Sequence, residues 1–147
     1  SDCGVQEAAC GALRQVSGAG KDVMAKIVAA GGIEAAVSAM QAHTGNTTVQ
    51  LGACGALRNL VVGGQYEGRV AAAGGVDAVV ASMQAEPGCL DIQASACALL
   101  RRLTARSEHA AQVSAAGGLE AVVAAMKGHP RDAGVQQDGC AALRNLT

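Results

Sequence analysis

The stretch VQLGACGALRNL, running from Val49 to Leu60, has three counterparts in the same chain. They are VQEAACGALRQV from Val5, IQASACALLRRL from Ile92 and VQQDGCAALRNL from Val135, so successive copies start 44, 43 and 43 residues apart. In the copy at Val49, the residues Val49, Ala53, Ala56, Leu57 and Leu60 fall at i, i+4, i+7, i+8 and i+11, a single apolar stripe on a helix. Thr47 or Thr48 stands where an N-cap is needed, and Gly63-Gly64 follow the last apolar residue. About 13 residues make a rod of roughly 20 Å.

Working outward, the same period organises the rest of the chain. The pairs Gly31-Gly32, Gly74-Gly75 and Gly117-Gly118 recur at 43 residues, as do Met40, Met83 and Met126. Between the long helix and each pair the composition predicts a short helix over 21–29, 65–72 and 107–115, with Ile27, Val70 or Val113 as its buried mark. After each pair a third helix carries Ile33, Ala36, Val37 and Met40, then Val76, Val79, Val80 and Met83, then Leu119, Val122, Val123 and Met126. The spacing i, i+3, i+4, i+7 is again one apolar face. The one extra residue of the first period belongs in the turn at 17–20, where an insertion costs least.

No unit of this size can bury such faces alone, whereas stacked units cover one another. The fold class expected is all-α, an α-α solenoid with one leading long helix and three short–medium–long triplets. The divisions are a partial repeat at 1–18, holding the long helix only, and repeats at 19–62, 63–105 and 106–147 of a single 1–147 solenoid. Polar capping helices are missing from both ends of the pattern, so the chain reads as an excerpt of a longer array.

Composition agrees. Half of the 147 residues are hydrophobic, yet there is one Tyr and no Trp or Phe, so the core must come from close approach of small side chains. A net charge of −1 gives no global field toward nucleic acid or anionic membranes, and no apolar run approaches the roughly 20 residues of a bilayer span. The first residues, Ser1 to Gly4, lack the flank and apolar stretch of a secretion signal. Cys10, Cys54, Cys97 and Cys140 share one helical position, which places them in a row within the core, a helix diameter apart, and not in a metal cage. Cys3 and Cys89 fall outside that row and should be the more exposed thiols. Six cysteines could suggest disulfides, but with four of them at one helical position they suit a reducing cytoplasmic setting or a nuclear one. His43 and His129 lie in equivalent turns two units apart, His109 sits at the position of Tyr66, and no Ser/His/Asp or Cys/His grouping is brought together. The glycine stretches lack the Gly-Lys-Ser/Thr of a phosphate loop. Neither catalysis, nor a cofactor, nor a small-molecule substrate is expected.

A three-helix unit of this length, with Ala-Gly-Gly corners and "ALRNL" closing the long helix, resembles the armadillo repeat of β-catenin, the plakophilins and importin-α. The likeness runs through all four copies. It implies a right-handed superhelix whose long helices line a concave groove for an extended partner segment. It also implies an Asn near the end of each long helix that grips the partner's backbone. By position these rungs are Gln15, Asn59, Arg102 and Asn145. The importin-α tryptophans that wall in lysines correspond to Gly11, Gly55, Ala98 and Ala141, so that mode of recognition is not available.

Arg14, Arg58, Arg101 and Arg144 precede the rungs, and with Arg102 they are five of the eleven basic residues. Two readings are open. Facing the groove, they would favour an acidic or phosphorylated protein segment, because guanidinium pairs bidentately with carboxylate and phosphate. Facing sideways, they would bridge adjacent repeats, pairing with acids such as Glu7 or Asp138. The function expected is a protein-interaction module. The alternative is a scaffold segment that sets length and curvature, or self-associates end to end.

Overall fold

The computed structural model describes residues 3–147; Ser1 and Asp2, at the start of the partial repeat, lie outside the described residues. Among the described residues there are ten helices and no strand. Four are long: α1 (Cys3–Ser17), α4 (Thr47–Val61), α7 (Leu90–Thr104) and α10 (Ala133–Leu146). Three are short: α2 (Lys21–Ala29), α5 (Glu67–Ala72) and α8 (Ser107–Ala115). Three of middle length follow the glycine corners: α3 (Gly32–Ala42), α6 (Gly75–Ala85) and α9 (Gly118–Gly128). The long helices stack α1 on α4, α4 on α7 and α7 on α10; α3, α6 and α9 form a second row behind them. The architecture is an α-solenoid.

Both residues of each glycine pair are required, for different reasons. Gly31, Gly74 and Gly117 have φ of 83°, 84° and 83°, the left-handed region that L side chains avoid. Gly32, Gly75 and Gly118 have no such torsion; what they lack is room. A Cβ on Gly75 would lie 2.5 Å from Val70 Cγ1 and 2.7 Å from the Val70 carbonyl oxygen. The short helix therefore runs straight into the corner, and α2 and α3 meet at 66°.

The recurring glutamine of the Val-Gln pairs has a structural task. Gln93 is buried, and its Nε2 donates to the Met83 and Glu86 carbonyls, each at 2.9 Å, closing the end of α6. Gln50 does the same for Met40 and His43, and Gln136 for Met126 and His129. Pro87 and Pro130 stand four residues after Met83 and Met126 and have no N–H to offer those carbonyls. The glutamine supplies the donor, and does so equally at α3, where Thr44 replaces the proline and its N–H makes no bond to the Met40 carbonyl.

Several expectations are corrected. The caps of the long helices are Asn46 and Asp132, whose side chains accept from the Val49 and Val135 N–H at 3.0 and 2.8 Å, and not Thr47 or Thr48. The helices consequently begin two residues before each Val-Gln pair. The second short helix is shorter than predicted, because Gly64 at φ 75° turns the chain and Tyr66 becomes the N-cap. Ile27 is only half-buried, unlike Val70 and Val113: α5 and α8 pack against the preceding medium helix, whereas α2 has only α1 and its own α3. Leu119, Val123 and Met126 are also half-buried; among the described residues no further medium helix lies over α9. His109 is buried beside Glu108, its Nε2 3.5 Å from the carboxylate. The turn at 18–20 does carry the extra residue, three between α1 and α2 against two (105–106) between α7 and α8.

Candidate functional site

The face worth building up is the one made by the C-terminal halves of the long helices. Successive units repeat one contact there with a changing side chain. The methylenes of Arg14 cross Gly55 so closely that a Cβ on the glycine would lie 2.4 Å from Arg14 Cδ. One unit on, Arg58 Nη1 donates to Ser95 Oγ at 3.3 Å. In the next, Arg101 Nε pairs with Asp138 Oδ1 at 3.1 Å. Ser95 and Asp138 occupy one repeat position, with Gly52 as the earlier member, where a Cβ would lie 2.8 Å from Cys10 Cβ. The bridging alternative for the arginines therefore holds for Arg58 and Arg101, and of the two acids named from the sequence Asp138 is the partner. Glu7 instead accepts from Asn46 Nδ2 at 2.6 Å.

Arg14 and Arg144 differ from these two. Among the described residues the guanidinium of neither has a hydrogen-bond or ionic partner, and Arg144 is exposed.

The rung positions are also engaged within the protein. Asn59 Nδ2 donates to the Arg14 carbonyl at 3.1 Å and to Ser17 Oγ at 3.4 Å, while its Oδ1 accepts from Arg58 Nη2. Asn145 Nδ2 donates to Thr104 Oγ1 at 3.3 Å, and Arg102 Nη1 to the Val62 carbonyl at 3.1 Å. In each case a rung fastens the exposed end of the preceding long helix, whose last carbonyls have no intrahelical donor. Gln15 is exposed, without such a bond among the described residues.

Two hollows lie on this face. One, of about 420 Å³, is lined by Arg14, Gln15, Leu51, Arg58, Asn59, Asp91, Ala94 and Ser95. The other, of about 440 Å³, is lined by Glu67, Arg101, Arg102, Ala105, Ala141, Arg144 and Asn145. All four rungs and all five arginines thus border one hollow or the other. Of the four positions corresponding to tryptophan walls, Ala141 alone lines a hollow; Gly55 is buried beneath Arg14, and Gly11 and Ala98 line neither. Asp91, Ser95 and Glu67 were missed from sequence. A helical wheel started at the arginines finds Leu51 and Ala94, each seven residues before one, but nothing in the repeat marks the acids.

The cysteine row is confirmed for three of its four members. Cys10, Cys54 and Cys97 are buried, and burial pushes the thiols of Cys54 and Cys97 up to about 12. Cys140 is exposed: among the described residues no further long helix packs on α10. Cys3 and Cys89 are half-buried, so neither is the most accessible thiol. No group of three His, Cys, Asp or Glu able to hold a metal ion occurs among the described residues.

Comparison with known proteins gives the same architecture. The profile described as armadillo/beta-catenin-like repeat matches residues 25–62. A crystal structure of an engineered protein, a Northeast Structural Genomics Consortium target, is similar with a TM-score of 0.79 and 26% identity. The match covers 99% of this chain and 57% of the engineered one, so the chain spans little more than half that protein's length. No curated protein sequence matches. The fold is an armadillo-type α-solenoid, and the likeness reaches the armadillo-like group without singling out a member.

Proposed function

We propose that the face formed by α1, α4, α7 and α10 is a non-enzymatic groove for an extended, acidic protein segment. The observation that carries this reading is the state of its cations. Arg14 and Arg144 are unpartnered among the described residues, and Arg102 donates through one nitrogen to a carbonyl, all beside hollows of about 420 and 440 Å³. A planar fork with unused donors is built for carboxylate or phosphate. The amide rungs contribute less, since Asn59 and Asn145 already hold neighbouring helix ends. Recognition here is by charge more than by clamping of the partner's backbone. A cytoplasmic or nuclear setting, where the free thiols stay reduced, belongs to the same reading.

Fluorescence polarisation with acidic, neutral and basic peptides of equal length tests it. Acidic peptides should bind tightest, and raising the salt should weaken them, as screening shortens the reach of surface charge. Binding that ignores peptide charge removes the proposal. A second reading, a scaffold segment that sets curvature, is favoured by the ties among Arg58, Ser95, Arg101, Asp138, Asn59 and Asn145. A chain that captures no peptide and associates end to end with rising concentration would select it.

A further inference from the structure

We propose that the hollow between α7 and α10 is an anion subsite in which Arg102 and Arg144 together hold a phosphorylated side chain of the partner. It rests on the groove reading above and locates where along the groove that partner's charge must fall. Position 102 is the one rung where a guanidinium replaces an amide, and only its Nη1 is engaged, leaving most of its five N–H donors free. Arg144 comes from the next long helix, lines the same hollow and has no partner among the described residues. Arg101, also at this hollow, has its charge offset by Asp138, 3.1 Å away.

The counter-charge is a single carboxylate, Glu67, buried in the wall. Two guanidinium groups with donors to spare thus face one acid. In the other hollow Arg58 is already drawn to Ser95 and Arg14 is laid along Gly55, with the exposed Asp91 opposite. A lone carboxylate is satisfied by one fork, whereas a phosphoryl group presents three acceptor oxygens and close to two charges, enough for both arginines.

The test uses a short fluorescein-labelled Gly/Ala peptide carrying one central phosphoserine, with Ser and Glu versions beside it. Tightest binding of the phosphoserine peptide, about a tenfold loss for Arg102→Asn and for Arg144→Gln, and no loss for the surface control Arg131→Gln support the subsite. Among the described residues the Arg144 side chain has no hydrogen bond or ion pair to lose, so its variant separates binding from folding, and Glu67→Gln should tighten the phosphopeptide. Unchanged affinity in both arginine variants overturns the subsite while leaving the groove reading in place. If no peptide binds, yet inorganic phosphate shifts the Arg102 and Arg144 Nε–Hε resonances, the subsite stands and the groove reading falls. Absence of both effects removes both, and tighter capture of a thymidine oligonucleotide than of the phosphopeptide overturns the assignment to a protein partner.

Discussion

Gln93→Met is the most informative single change to the fold. Methionine keeps the length and flexibility of the side chain, so packing around this buried position is preserved and the donor alone is removed. Two bonds of 2.9 Å disappear. The Glu86 carbonyl retains a second donor, the Cys89 N–H at 3.1 Å, and its loss is worth about 1 kcal/mol. The Met83 carbonyl retains none, because Pro87 has no N–H, and an orphaned buried acceptor costs about 1–3 kcal/mol. The expected total is about 2–4 kcal/mol. Gln50→Met tests the same role at α3: it removes the equivalent two bonds, and although Thr44 stands where Pro87 does, its N–H makes no bond to the Met40 carbonyl, while the His43 carbonyl keeps the Asn46 N–H. It should cost about as much, roughly 2–4 kcal/mol. Urea unfolding followed by helical circular dichroism measures both. A Gln93 or Gln50 variant as stable as the parent would refute the role assigned to the glutamine.

Other expectations follow from the same contacts. Gly75→Ala forces a methyl to within 2.7 Å of a backbone carbonyl that cannot yield, and should cost about 3 kcal/mol in the same unfolding assay. Gly74→Ala, strained by its φ of 84° and meeting only the flexible Gln41 side chain at 3.3 Å, should cost about 1–2 kcal/mol. Maleimide labelling of the folded chain, read by peptide mass mapping, should modify Cys140 first, then Cys3 and Cys89, with Cys54 and Cys97 protected until unfolding. Stability should fall as pH rises from about 9 toward 12, because the folded thiols of Cys54 and Cys97 stay protonated while those of the unfolded chain ionise. The slope attributable to each thiol is about 1.4 kcal/mol per pH unit, and a Cys54→Ala, Cys97→Ala chain should show a flatter alkaline limb.

Most of the fold was legible because the repeat supplies its own internal comparison. Four copies in phase fix helix type, corner and stacking partner together, and small residues such as Gly52 and Gly55 mark where neighbouring helices nearly touch. What escaped the sequence was the partner of each polar side chain. Asn46 as the cap was hidden because Thr47 and Thr48 are equally acceptable cap residues. The arginines show the same limit more sharply. One repeat position yields an apolar crossing at Gly55, a hydroxyl bond at Ser95 and an ion pair at Asp138, because the outcome depends on a residue some 40 positions away. Reversing Arg58 and Arg101 would thus disturb repeat packing as well as groove charge, so Arg102 and Arg144 are the better probes of binding. The cysteine row failed only at Cys140, where among the described residues no following helix supplies the cover.

The central claim is that each long helix stacks on the next in one register, with Arg14 laid over Gly55 and Cys10 against Gly52. A nuclear Overhauser spectrum of the isotopically labelled chain tests it without altering a residue. Cross-peaks from the Gly55 Hα protons to the Arg14 side-chain methylenes, and from the Gly52 Hα protons to Cys10 Hβ, are the predicted result. Contacts of α1 with α7 or α10 in place of α4, or of Arg14 one helical turn away from Gly55, would contradict it.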